Sequence, residues 1–124
     1  MEKIGIIGSG TWGTAIAVLL VNNGHEVKLW SAIPAEIEEM AKTRTHRNLS
    51  GVTLPEGLIY TADLEKAMAD KDLLVMAVPS VFVRSTAQKM KPFCKDGQLI
   101  VDVAKGIEEN TLDTMTQIIK EELP

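Results

Sequence analysis

Cysteine, histidine and aromatic residues are scarce in this chain, and each scarcity removes a class of function. Cys94 is the only cysteine, so neither an internal disulfide framework nor a cysteine-based zinc cluster can form. His25 and His46 lie far apart and lack ligand spacing, so no metal site is expected. Basic residues are the minority, 13 Lys and Arg against 17 Asp and Glu, and the formal net charge is −4. A nucleic-acid binder usually shows a basic excess or stripe, so no nucleic-acid partner is expected. Long apolar runs are missing too. Leu73–Val78 is among the longest, far short of the ~20 residues of a membrane span. No signal-peptide pattern opens the chain, which runs straight into a strand-like segment. The expectation is a cytoplasmic protein with no membrane insertion.

What remains is an ordinary globular composition: 124 residues, 45% hydrophobic and 24% charged. That is enough for one domain with a real core. Ile4-Gly5-Ile6-Ile7 reads as a strand buried on both faces, and Ala15, Ile16, Val18, Leu19 and Leu20 as an apolar helix ended by Asn22-Asn23-Gly24. His25–Trp30 is a second strand. Pro34 suits the first turn of a helix through about Arg44, with Ile37, Met40 and Ala41 facing inward. Thr45–Gly57 reads as a loop, Leu58–Thr61 as a strand, and Asp63–Asp70 as a short helix with Leu64, Ala67 and Met68 inward. Asp72–Val78 is the clearest central strand, stopped at Pro79. Ser80 is placed to cap a helix over Val81–Met90, which Pro92 ends. Gln98–Val103 is a further strand, and Asn110 with Asp113 resembles an N-cap pair opening a last helix, Thr111–Leu123. Strands alternating with helices predict a doubly wound, mostly parallel α/β sheet with helices on both faces, in strand order 3-2-1-4-5.

Between the first strand and first helix stands Gly8-Ser9-Gly10-Thr11-Trp12-Gly13. A bare G-x-G-x-x-G is weak evidence, but a strand before and a helix after are the context the motif needs. Gly8 lets the chain leave the strand sharply, Gly10 lets backbone approach a pyrophosphate, and Gly13 lets the helix pack closely on the sheet. The helix start favours phosphate through its free N–H groups and partial positive charge. The turn therefore points to a dinucleotide and a Rossmann-type domain.

The acid that usually holds the ribose is expected about 20 residues on, at the end of the second strand. Trp30-Ser31-Ala32 stands there, with neither a carboxylate nor an arginine for a 2′-phosphate, so the choice between NAD and NADP stays open. Ser31 either bonds the ribose or begins the next turn. Trp12 either shields the cofactor or fills a gap between helix and loop. Phe82 either packs on a cofactor ring or belongs to the core. Lys105, between a strand and Gly106 at the ligand edge of the sheet, either suits an anionic or carbonyl substrate or is a solvated lysine.

Taken in order, "GSGTWGTAIA", "AVPS" and "KGIE" resemble the bacterial NAD(P)-dependent glycerol-3-phosphate dehydrogenases, and the resemblance runs from Lys3 to the last helix. It implies reversible hydride transfer between NAD(P)H and dihydroxyacetone phosphate, a phosphorylated small molecule, giving sn-glycerol 3-phosphate for phospholipid synthesis. It also implies that Thr11 and Trp12 contact the cofactor, that Phe82 lies beside it, and that Lys105 touches both cofactor and substrate. A homodimer is a further open expectation for the intact enzyme. Two departures stand out. Ala32 and Ile33 occupy a place where family members often carry arginine or histidine, and the loop Thr45–Pro55 is short and lacks a tyrosine. The family also continues into a helical domain with its general-base lysine, so residues 1–124 are expected to be a cofactor-binding domain with no catalytic residue, inactive alone. The alternatives are the first domain of a 3-hydroxyacyl-CoA or 6-phosphogluconate dehydrogenase, or a nucleotide-sensing module without chemistry.

Overall fold

Short apolar runs of four or five residues pair side by side into one five-stranded sheet, in which every pairing is parallel. The computed structural model describes residues 2–46, 53–94 and 98–103. Their strands are β1 (Lys3–Ile7), β2 (Glu26–Trp30), β3 (Leu58–Thr61), β4 (Leu73–Met76) and β5 (Leu99–Asp102). Their helices are α1 (Thr11–Asn22), α2 (Pro34–Thr43), α3 (Leu64–Met68) and α4 (Val83–Met90). The sheet order is β3-β2-β1-β4-β5, as the alternation of elements predicts. The expected last helix Thr111–Leu123, with Asn110 and Asp113, lies outside the described residues.

Period-two alternation sorts the strand residues into two cores, one on each face of the sheet. Ile4 and Ile6 of β1, Val27 and Leu29 of β2 and Val75 of β4 pack with Ala17 of α1 and Met40 of α2. Ile7, Trp30, Leu74 and Met76 point the other way and pack with Ala67 and Met68 of α3 and Val83, Ala87 and Met90 of α4. Slipping any strand by one residue would exchange these sets, so the register is firmly held. In that register Ile7 is level with Trp30 on one side and Met76 on the other. The carboxyl ends of β1, β2 and β4 therefore finish together, and the loops that leave them share one edge.

Two local expectations need correction. The helix expected over Val81–Met90 starts later: Ser80–Phe82 form a 3-10 turn closed by the Phe82 N–H to Pro79 O bond (2.8 Å), and Phe82 takes the N-cap position of α4. The tighter turn that follows Pro79 delays the helix by two residues relative to the expected start at Val81. Ala41 is exposed rather than inward. The buried stripe of α2 is only Ile37 and Met40, one turn apart, and the helix ends at a left-handed Arg44 (φ 55°) before a second turn of contact forms. Arg44 then pins the far end of the following loop: its C=O accepts from Leu54 N–H at 2.7 Å and its Nε donates to Leu54 O at 3.0 Å, while its own N–H closes the helix on Met40 O.

One charged side chain is buried against the grain of the composition. Lys71, 5% exposed, donates from Nζ to Ala69 O at 2.8 Å. Burial pushes its pKa below the ordinary 10.5, and the neighbouring cation Lys28 adds to the effect, while Glu26 and Asp70 oppose it. The unfolded chain thus holds this proton more tightly than the folded one. Its contribution to stability is lowest at neutral pH and rises as pH climbs through the lowered pKa towards 10.5. Denaturant melts along that range should show the wild type gaining stability relative to Lys71→Met. Parallel curves for the two proteins would contradict the assignment.

Candidate cofactor site

The shared edge is occupied by the glycine turn. Gly8 leaves β1 at φ +126°, its N–H donating to Trp30 O at 3.0 Å. A Cβ there would lie 2.6 Å from the Ala77 carbonyl carbon and 2.7 Å from Val78 N, so the β4 exit passes directly against it. Gly13, one turn into α1, presses on the Gly8 carbonyl, and a Cβ would collide with that oxygen. Gly10 is the opposite case: a Cβ on it would meet nothing within 4 Å. It stands at the N-cap of α1, starts the helix with its carbonyl accepting from Thr14 N–H (2.9 Å), and provides no side-chain cap. Two glycines are required by the protein's own atoms. The third opens on space.

Ser9, 5% exposed, ties this turn to its surroundings. Its carbonyl accepts from Thr14 Oγ1 at 3.0 Å and from His46 Nε2 at 2.9 Å. Its hydroxyl donates to the carboxylate of Glu36 in the first turn of α2. His46 is itself buried, so the loop after α2 is anchored under the turn.

Above the turn opens a cleft of about 440 Å³, within the usual size of ligand sites. Gly8, Ser9 and Gly10 form its floor. Ser31, Ala32, Ile33 and Glu36 form the wall that follows β2; Val78, Pro79, Phe82 and Lys89 belong to the wall that follows β4. Because β2 and β4 flank β1, the cleft sits where the strand order reverses, the position at which open α/β sheets bind ligands. An open N-terminal turn of a twelve-residue helix, a glycine without an obstructing side chain and a cleft on both sides fit a dinucleotide pyrophosphate. Among the described residues no three His, Cys, Asp or Glu side chains gather to hold a metal ion, and no helix is long and apolar enough to cross a membrane.

Of the residues singled out in the sequence, Gly8, Ser9, Gly10, Ser31 and Phe82 meet in this cleft, and Gly13 lies beneath it. Thr11 and Trp12 are the first two residues of α1. Lys105 lies outside the described residues. Phe82 is 56% exposed, which removes the core reading for it. Ser31 does begin the next turn, its Oγ accepting from Ile33 N–H at 3.1 Å, and it also lines the cleft. Sequence reasoning missed Glu36 and His46. The available signal for Glu36 was the brevity of the connection: only Ser31–Ile33 separate β2 from Pro34, so the first turn of α2 must overlook the end of β2. For His46 no local signal exists, since its partner is 37 residues away.

A family model for the N-terminus of NAD-dependent glycerol-3-phosphate dehydrogenase matches residues 3–124. The chain is 52% identical to a glycerol-3-phosphate dehydrogenase [NAD(P)+] of Agathobacter rectalis over its whole length, and 52% identical to one of Lactobacillus delbrueckii over 99% of it. It spans 37% and 36% of those relatives. Among solved structures, a glycerol-3-phosphate dehydrogenase from Coxiella burnetii superposes with a TM-score of 0.91 at 28% identity, over 98% of this chain and 38% of that one.

Proposed function

The chain belongs to the family of the NAD-dependent glycerol-3-phosphate dehydrogenase N-terminus, and from that premise we propose that it is the cofactor-binding domain of an enzyme interconverting dihydroxyacetone phosphate and sn-glycerol 3-phosphate. When bound, NAD(P)H supplies the hydride. The observation that carries the reading is Gly10, whose missing side chain leaves free space over an uncapped helix start at the floor of the cleft. Backbone N–H groups of the first turn of α1 take the pyrophosphate, and Gly8 and Gly13 hold that turn against β4 and β1. Thr11, Trp12 and Phe82 line the cofactor, and Ser31 faces its ribose. Lys105, three residues beyond the end of β5, orients the substrate carbonyl and its phosphate beside the nicotinamide.

Reduction of the carbonyl also needs an acid for the forming alkoxide. We assign that group and most substrate contacts to residues outside these 124, consistent with a chain that spans about 37% of its relatives. The cytoplasmic location and homodimeric assembly expected from the sequence belong to the same proposal. Calorimetric titration with NADH and NADPH, together with a dihydroxyacetone phosphate assay, tests it. Binding of at least one cofactor without turnover is the expected result. Appreciable turnover by this chain alone would overturn the assignment of the acid elsewhere, and failure to bind either cofactor would overturn the reading of the cleft.

A further inference from the structure

The expected place for a ribose-binding acid, the end of β2, holds Trp30, whose indole Nε1 donates to Ala62 O at 3.2 Å, and Ser31. Yet the same wall of the cleft carries a carboxylate that arrives by another route. Glu36 projects from the first turn of α2, 28 positions after Gly8, and is fixed there by the Ser9 hydroxyl. Pro34 at the helix start sets that turn, and an acidic side chain is favourable at this end of a helix. The Ser9 bond is made to Oε1. A carboxylate offers about four acceptor sites, so capacity for a sugar hydroxyl remains. Ala32 and Ile33, the exposed residues of this wall, bring no charge. Among the described residues, the cation that lines the cleft is Lys89, in the last turn of α4 on the β4 side.

We propose that Glu36 determines cofactor choice in this chain, accepting a hydrogen bond from the adenosine ribose of NAD and excluding the 2′-phosphate of NADP. The proposal deepens the reading of the cleft as a dinucleotide site and rests on it. In this fold the adenosine ribose lies at the end of β2, on the wall that Glu36 occupies. A phosphomonoester there would bring about two negative charges against a carboxylate held in place by a buried serine. Among the described residues no cation on that wall offsets the repulsion. Because Ser9 belongs to the glycine turn, the carboxylate is also set at a fixed distance from the pyrophosphate position, which is what selection between two ribose substituents requires.

The test is equilibrium binding of NADH and NADPH, by calorimetry, to the wild type, Glu36→Gln and Lys89→Ala. The expected wild-type preference for NADH is about 100-fold, and in Glu36→Gln it narrows to about threefold, mainly through tighter NADPH binding. Lys89→Ala should keep the wild-type ratio. Circular dichroism confirms folding of each variant, and Glu36→Ala is read in the same way if Glu36→Gln does not fold. Equal affinity for both cofactors in the wild type overturns the proposal, as does an unchanged ratio in Glu36→Gln or a ratio governed by Lys89. In each of those cases binding persists and the dinucleotide reading stands. Binding of neither cofactor overturns both.

Discussion

Replacing Gly8 by alanine should cost about 3–5 kcal/mol of folding stability and lower the melting temperature by roughly 10–20 °C. Two independent effects add. At φ +126° an L-residue is strained wherever its side chain goes. The new methyl group would also meet backbone rather than a side chain that could rotate away: the Ala77 carbonyl and Val78 N at 2.6–2.7 Å. Those atoms belong to the exit of β4, which is fixed to β1 by the Ala77 N–H to Ile7 O bond of 2.8 Å. Relief would require separating the two central strands. Thermal unfolding followed by circular dichroism measures the effect, and a loss below about 1 kcal/mol would show that the turn can shift without disturbing the sheet.

Gly10→Asp should fail in the opposite sense. Aspartate is a better N-cap than glycine, and a negative charge suits the helix start, so the variant gains a few tenths to about 1 kcal/mol of stability. Its side chain enters open space, so no collision offsets that gain. The cap, however, satisfies the N–H groups that would otherwise meet the pyrophosphate, and places a carboxylate where the phosphates belong. Cofactor affinity should fall by at least about 100-fold, read by calorimetry beside an unchanged or raised melting temperature. Retained affinity in a folded variant would mean that the phosphates do not lie over Gly10. Two glycines two positions apart are thus expected to separate the requirements of folding from those of binding, and the natural residue at position 10 leaves stability unused for the sake of the ligand.

Much of this is legible in the sequence, because the relevant signals are local and periodic. Buried parallel strands show as uninterrupted runs such as Ile4–Ile7 and Leu73–Met76, and right-handed crossovers then leave few strand orders. The glycine turn was legible for the same reason: its meaning depends only on a strand before and a helix after. What escaped was set by tertiary geometry. Ala41 has the composition of an inward residue, but α2 ends before that side of the helix meets the sheet. The helix after Pro79 reads as continuous from Val81, but a 3-10 turn over Ser80–Phe82 moves its start to Val83. Glu36 looks like a solvent-facing helix residue until Pro34 brings its turn over the end of β2. His46 reaches a carbonyl that no spacing rule could connect to it.

In the shorthand of the motif, Ser9 is one of the letters x, a spacer free to vary between two glycines. In this protein the spacer is a junction where α1, α2 and the loop after α2 all meet, through Thr14, Glu36 and His46. A redesign that kept every glycine and let position 9 drift would preserve the signature on paper and detach one wall of the cleft from its floor.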